Sequence, residues 1–102
     1  MMIEETASIA GDHPALAGHF PGRPVVPGAL LLDMVIAVAE AKAQWRIAEV
    51  MRMKFHRPLM AETEFSIKLR PIADGQIEVS CHVGDDPLIS GRFRIDARAS
   101  RP

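Results

Sequence analysis

The chain has 102 residues, 48% hydrophobic and 25% charged, which predicts a single ordered domain over residues 1–102 rather than a disordered chain. Its 12 Lys and Arg residues do not exceed its 13 Asp and Glu residues, so nucleic-acid binding is not expected. The longest apolar stretch, residues 29–39, is far shorter than the roughly 20 residues of a membrane span, and Glu4 and Glu5 do not suit a signal peptide. We therefore expect a cytoplasmic protein.

The first long element in chain order is a helix that follows a proline-rich loop. Residues 18–28 read GHFPGRPVVPG, and their three prolines exclude a regular helix while fixing the backbone torsions. Residues 29–43 are rich in Ala, Leu, Ile, Val and Met, which predicts one helix of about 15 residues. Because its first three turns are apolar on nearly all sides, we expect other structure to wrap around this helix.

Beyond the helix the hydrophobic period changes to two, which is typical of half-buried strands. Strands are predicted at residues 46–57, 63–70, 77–83 and 88–97, with a shorter strand at residues 3–9. Asp74-Gly75 predicts a hairpin turn between the second and third of the four later strands. In the first of these four, Ile47, Met51, Met53 and Phe55 are predicted to share one face. The elements indicate an α+β fold, an antiparallel β-sheet wrapped around one central α-helix.

Three residues near the helix start could carry chemistry. Asp33 places a carboxylate in an apolar helix, where it needs a partner, although a wet stripe of the helix would explain it equally well. His19 by itself could be a turn residue or a hydrogen-bonded core histidine. Gly28 lies at the predicted helix N-terminus, where free N–H groups and the helix dipole favour an oxygen that gains negative charge. A base, an acid and such an amide are what proton removal beside a thioester carbonyl requires.

The segment GHFPGRPVVPGALLLD, residues 18–33, resembles the active-site segment of the 3-hydroxyacyl-acyl carrier protein dehydratases of fatty acid synthesis. The shared features are His-Phe-Pro-Gly at 19–22, Pro24-Val25, Pro27-Gly28 and an acidic residue fourteen positions after the histidine. The later segment MKFHRPLMAETEFSIKLRP, residues 53–71, resembles the strand that follows the central helix in that family. The resemblance implies a hot-dog fold.

The same resemblance implies a homodimer, or a higher oligomer, whose two sheets join edge to edge and whose active sites span the subunit boundary. His19 of one protomer would face Asp33 of the other. His19 would remove the proton at C2, Asp33 would protonate or orient the 3-hydroxyl group, and the Gly28 amide would hold the thioester oxygen. Further positions implied to contact the substrate are Phe20, Pro21, Gly22, Val25 and Pro27.

We therefore expect a dehydratase or hydratase that interconverts 3-hydroxyacyl and trans-2-enoyl thioesters. The acyl chain would lie along the helix, attached to the phosphopantetheine of an acyl carrier protein or to coenzyme A, and no metal or redox cofactor is expected. A fatty acid-like, polyketide or aryl-polyene pathway would supply such a substrate. An acyl thioesterase on the same fold and a non-catalytic, acyl-binding partner subunit are the alternatives, and the His-Phe-Pro-Gly loop argues against the first.

The chain departs from the family pattern at several positions. Asp33 stands where plain dehydratases usually have Glu, and the branch that also isomerises the double bond has Asp. Ala37 replaces a Gln that commonly positions the carboxylate. Only 18 residues precede His19, so we expect an N-terminal hairpin or lid to be missing. Ala61-Glu62-Thr63 replaces a common Pro-Gly-Asp turn. Ala37 and the short N-terminal segment keep the non-catalytic alternative open, and Asp33 alone does not assign isomerase activity.

The remaining polar candidates have simpler explanations. His56 and His82 fall on the polar faces of their predicted strands and are expected at the surface. His13 is expected in a turn, with a role at a pocket mouth as the alternative. Cys81 shares a face with apolar residues and is expected to pack as a small hydrophobe. Arg23 is expected to be solvated, although it could contact the phosphate or an acidic helix of a carrier protein.

Overall fold

The computed structural model describes residues 2–16 and 25–96. Its elements in chain order are β1 (Ile3–Ala7), a 3-10 turn (Pro14–Leu16), α1 (Gly28–Lys42), β2 (Ile47–Phe55), β3 (Phe65–Ala73), β4 (Gln76–Val83) and β5 (Asp86–Ile95). The predicted helix and the five predicted strands are confirmed, with ends that differ by at most three residues. In the described part of the chain, no helix is long and apolar enough to cross a membrane.

All five strands form one antiparallel sheet in the order β1-β3-β4-β5-β2. The predicted hairpin at Asp74-Gly75 is confirmed, because Ala73 pairs with Gln76 and leaves two residues in the turn. Gly75 has a φ of 73°, a conformation that glycine adopts without steric cost. β3, β4 and β5 occupy the centre of the sheet, and β1 and β2 form its two edges.

The core lies between one face of the sheet and one stripe of α1. Leu31, Val35 and Ala39 are buried and stand four residues apart, so they share a side of the helix. The sheet contributes alternate residues of its three central strands. The largest of these buried side chains are Phe65, Ile67, Leu69, Ile77, Val79, Cys81, Ile89 and Phe93.

The predicted antiparallel sheet packed around one helix is confirmed, but within the single chain the outer side of α1 stays uncovered. Ala29, Asp33 and Ala37 are exposed and, being four residues apart, form a stripe on the helix. The helix therefore lies along one face of the sheet, and its outer side is not covered by the described residues. The apolar residues between the two stripes are only partly buried, which explains why the pattern suggested full enclosure.

β2 is an irregular edge strand. Its register with β5 shifts twice, between Ile47 and Glu49 and again between Val50 and Arg52. After the first shift Val50 lies opposite Phe93, and Met51, which was predicted to share a face with Met53 and Phe55, falls at the second shift. Val50, Met51 and Phe55 are 38%, 40% and 45% exposed, which is unusual for apolar residues of a strand that has one face on a core. An edge strand with exposed apolar side chains and unpaired backbone groups can add another strand.

Gly91 is required where β5 meets β2. A β-carbon at this position would overlap the carbonyl oxygen of Arg52 and lie 2.9 Å from Sδ of Met53. We expect Gly91→Ala to lower the free energy of unfolding by about 3 kcal/mol, because the backbone of β2 has to move. Gly84→Ala is the matched control, since a β-carbon there has no neighbour within 4 Å and its φ of 60° costs only about 1 kcal/mol. Urea unfolding measures both, and equal losses would contradict the steric argument.

Candidate active site

The site begins at the N-terminus of α1. Pro27 is the N-cap, with φ −60° and ψ 140°, and no side chain caps the helix by a hydrogen bond. The N–H groups of Leu30 and Leu31 both donate to the carbonyl oxygen of Pro27, at 3.1 and 3.2 Å. The N–H groups of Gly28 and Ala29, the first two residues of α1, have no partner within the helix and are donors that this end of the helix offers. This is the environment in which an oxygen that gains negative charge is stabilised.

The aromatic ring of Phe55 lies against Gly28. A β-carbon at position 28 would be 3.2 Å from Cε2 and 3.3 Å from Cζ of this ring, so glycine allows the close approach. The backbone that follows Phe55 is fixed to β5, because His56 N–H donates to the carbonyl oxygen of Leu88 at 2.9 Å. Phe55 is therefore the side chain at the end of β2 that borders the helix start.

A cavity of about 390 Å³ lies at this end of the helix. It is open to one side and is bordered by the segment before α1, by α1, by the end of β2 and by the segment that follows β2. A hydrogen bond from Val26 N–H to the carbonyl oxygen of Leu59, at 2.8 Å, joins the two segments. Its lining residues are Val26, Gly28, Leu31, Phe55, His56, Arg57, Pro58 and Leu59. A mostly apolar cavity beside free backbone amides can hold an apolar chain that ends in a carbonyl group.

The predicted site residues fall into three groups. Gly28 lines the cavity, Pro27 caps the helix beside it, and Val25 forms a single antiparallel bridge with Met60. Asp33 is exposed and follows Gly28 by five residues, which places it about 140° away around the helix axis. The single chain therefore does not bring Asp33 to the cavity. The predicted residues that lie outside the described part of the chain are His19, Phe20, Pro21 and Gly22.

The sequence did not predict that the end of β2 and the segment after it border the cavity at the start of α1. Phe55 and Pro58 belong to the second stretch that resembles the dehydratase family, and both line the cavity. The contact of Phe55 with Gly28 joins positions far apart in the chain. His56 was predicted at the surface, and its side chain is exposed. It also borders the cavity, and its Nε2 lies 2.7 Å from Oγ of Ser90.

The other candidate groups do not form a second reactive centre. Cys81 is fully buried, as predicted, and desolvation raises the pKa of its thiol to about 12. Thiolate, the reactive form, is therefore scarce at neutral pH. His13 lies in a turn, where its carbonyl oxygen accepts from Leu16 N–H at 2.9 Å. Within residues 2–16 and 25–96, no three His, Cys, Asp or Glu side chains are grouped so that they could bind a metal ion.

A comparison with protein families identifies the chain by its sequence. The family profile named ApeI-like, described as ApeI dehydratase, matches residues 2–92. The chain belongs to this dehydratase family. No curated protein gives a match to the chain.

Solved structures show the same architecture, the hot-dog fold. The dehydratase heterocomplex ApeI:P from Xenorhabdus doucetiae has a TM-score of 0.78 at 18% identity and covers 92% of this chain and 86% of its own. An uncharacterised protein from Erwinia carotovora subsp. atroseptica has a TM-score of 0.74 at 22% identity, with 93% and 82% covered. An N-terminal dehydratase from the difficidin assembly line has a TM-score of 0.72 at 16% identity, with 93% and 38% covered. At these low sequence identities, the likeness shows a shared fold and nothing more.

The buried thiol makes stability depend on pH in the alkaline range. The folded protein keeps Cys81 protonated up to a pKa of about 12, whereas the unfolded chain releases the proton near 9.0. Stability from this group is complete below pH 9 and falls as the pH rises towards 12, by up to about 1.4 kcal/mol per pH unit. Urea unfolding of the wild type and of Cys81→Val between pH 8 and pH 11 isolates the effect, since all other groups cancel. Parallel curves for the two proteins would contradict it.

Proposed function

We propose that the protein is a hydro-lyase that interconverts 3-hydroxyacyl and trans-2-enoyl thioesters. The observation that carries the proposal is the apolar cavity at the uncapped start of α1, in a chain of a dehydratase family. An acyl chain in this cavity has its thioester carbonyl beside the Gly28 amide. Hydrogen bonds from that end of the helix stabilise the enolate oxygen that forms when a proton leaves C2.

The proton transfers are assigned to His19 and Asp33. His19 takes the proton from C2, and the electron pair of that bond moves towards the thioester oxygen as an enolate. The pair then returns to form the C2–C3 double bond as the C3–O bond breaks. Asp33 supplies a proton to the departing hydroxyl group, which leaves as water. The reverse sequence hydrates the enoyl thioester. The two residues end the reaction in exchanged protonation states and need no metal or redox cofactor for it.

We infer that the acid comes from a second copy of the chain. Asp33 lies on the exposed stripe of α1, away from the cavity that Gly28 lines in the same chain. The stripe carries small neighbours, Ala29 and Ala37, which allow another backbone to come close. β2 has a free edge with exposed Val50 and Met51, where an identical strand can pair. These features support a homodimer with shared active sites, which could assemble further into a higher oligomer.

The acyl group is proposed to be carried on the phosphopantetheine of an acyl carrier protein or on coenzyme A. Its source is a fatty acid-like, polyketide or aryl-polyene pathway in the cytoplasm. Two matching structures support this range, since their names describe a dehydratase complex and a dehydratase of an assembly line. Phe20, Pro21, Gly22, Val25 and Pro27 are proposed to border the acyl group.

The first test is turnover of short thioesters. Purified protein is mixed with crotonyl and 3-hydroxybutyryl thioesters of coenzyme A and of a carrier protein, while enoyl absorbance and free thiol are followed together. We expect hydration and dehydration without thiol release. His19→Ala and Asp33→Asn should each lower the rate by at least about 100-fold, because each removes a proton-transfer group. His82→Ala and Asp85→Asn, which make the same changes outside the cavity, should keep wild-type rates.

Two results of this assay would contradict the proposal. Thiol release without hydration would identify an acyl thioesterase. No reaction across several chain lengths, from a folded protein that still binds acyl thioesters, would identify a non-catalytic partner subunit.

The shared site predicts complementation between inactive variants. In a random mixture of His19→Ala and Asp33→Asn chains, half of the dimers are mixed, and each mixed dimer has one site with both groups intact. About a quarter of the wild-type activity should therefore return, because each site of a twofold dimer takes one group from each chain. Native mass spectrometry confirms the exchange of subunits. No recovery after proven exchange, or dimer formation only with a different protein, would contradict the homodimeric site.

A further inference from the structure

The sheet face opposite α1 carries an ordered set of polar side chains, and we call it the outer face. Strand register aligns Lys68, Ser80, Ser90 and Lys54 in one row across β3, β4, β5 and β2. The two central side chains are short hydroxyls, and the two outer ones are long cations. Directly facing residues of antiparallel strands point to the same face, so this row is low in the middle and high at its ends.

The adjacent row is also cationic. Here the register aligns Arg70, Glu78, Arg92 and Arg52 across the same four strands. Glu78 is already engaged, since its Oε1 accepts hydrogen bonds from Nε and Nη2 of Arg70 at 3.2 and 2.7 Å. Arg92 and Arg52 face each other directly, an arrangement of like charges that destabilises a sheet. No carboxylate in the described part of the chain forms a salt bridge with either of them.

The members of the two rows on β4, β5 and β2 line an open groove of about 680 Å³. We call it the basic groove and define it by its polar lining residues, which are Arg52, Lys54, Glu78, Ser80, Ser90 and Arg92. At its floor, Ser90 Oγ lies 2.7 Å from Nε2 of His56. When this imidazole nitrogen donates, the Ser90 hydroxyl keeps its own proton for a ligand.

We propose that the basic groove binds a phosphate group of a small molecule. Three unpaired cations on the walls and two hydroxyl donors on the floor match the several acceptor oxygens and the negative charge of a phosphate. A bound phosphate also offsets the repulsion between Arg52 and Arg92. The concave shape suits a compact anion better than the flat surface of an acidic protein. The groove lies on the sheet face away from the Gly28 cavity, so the proposal does not depend on the reaction assigned to that cavity.

The test is titration of the full chain with pyrophosphate, followed by calorimetry and by thermal unfolding. We expect one saturable site per chain and a rise of Tm on binding. Arg92→Gln and Lys54→Gln should each weaken binding roughly tenfold, because each removes a charge-assisted hydrogen bond. Lys42→Gln, at the far end of α1, removes the same charge away from the groove and should change the affinity less than about twofold.

Two further variants separate a built site from general attraction to charge. Ser80→Ala and Ser90→Ala keep every charge but remove the floor donors, and each should weaken binding about threefold or more. Without ligand, Arg92→Gln should match or exceed the Tm of the wild type, since it removes a repulsion. If this variant fails to fold, Lys54→Gln and the two serine variants carry the test.

Several outcomes would overturn the proposal. These are no saturable binding of pyrophosphate, equal weakening by Lys42→Gln and Arg92→Gln, or no effect of either serine variant. Binding of a poly-glutamate peptide at these residues without binding of pyrophosphate would assign the face to an acidic protein instead. Coenzyme A and pantetheine 4′-phosphate, compared with pyrophosphate, identify the source of the group. If coenzyme A and pantetheine 4′-phosphate bind more tightly than pyrophosphate, the phosphate belongs to a thioester carrier. If they bind equally or more weakly than pyrophosphate, it belongs to a free phosphate compound.

Discussion

The packing of one stripe of α1 on the apolar face of the sheet determines most of what the protein can do. Leu31, Val35 and Ala39 are buried in the core that also contains side chains of the central strands, and burial of a large aliphatic side chain contributes about 1.5–3 kcal/mol. Because this stripe is narrow, the same contact leaves the helix start beside the end of β2 and turns Asp33 outward. The position of the cavity and the exposure of the proposed acid thus follow from a single packing interaction.

The sheet separates two chemical environments because successive residues of a strand point to opposite faces. The helix side is apolar and includes a cysteine whose pKa burial raises to about 12. The outer side carries lysines, arginines and serines in register across four strands. Gly91 maintains the junction of β5 and β2, since only a residue without a β-carbon fits beside the carbonyl oxygen of Arg52. Both faces therefore depend on the same close contact at the sheet edge.

Part of the candidate site could be predicted from the sequence. Pro27-Gly28 marks the helix start, because proline fixes φ and glycine follows it before an apolar run, and the structure begins α1 at Gly28. The contact of Phe55 with Gly28 could not be predicted, since it joins residues 27 positions apart in different elements. The alternation of apolar residues placed Met51 on the same face as Ile47, whereas Val50 is the residue that lies opposite Phe93. A shift in strand register cannot be recognised from hydrophobic alternation.

The sequence alone determined the order and nature of the elements, since a helical period before residue 45 and a period of two after it depend only on neighbouring residues. It also determined the family resemblance, which the match over residues 2–92 confirmed at the level of a dehydratase. The tertiary structure decided which side of α1 is buried, how β2 pairs with β5 and which cations face one another across strands. These depend on contacts between distant residues, and a sequence pattern records only which residues are apolar, not what they pack against.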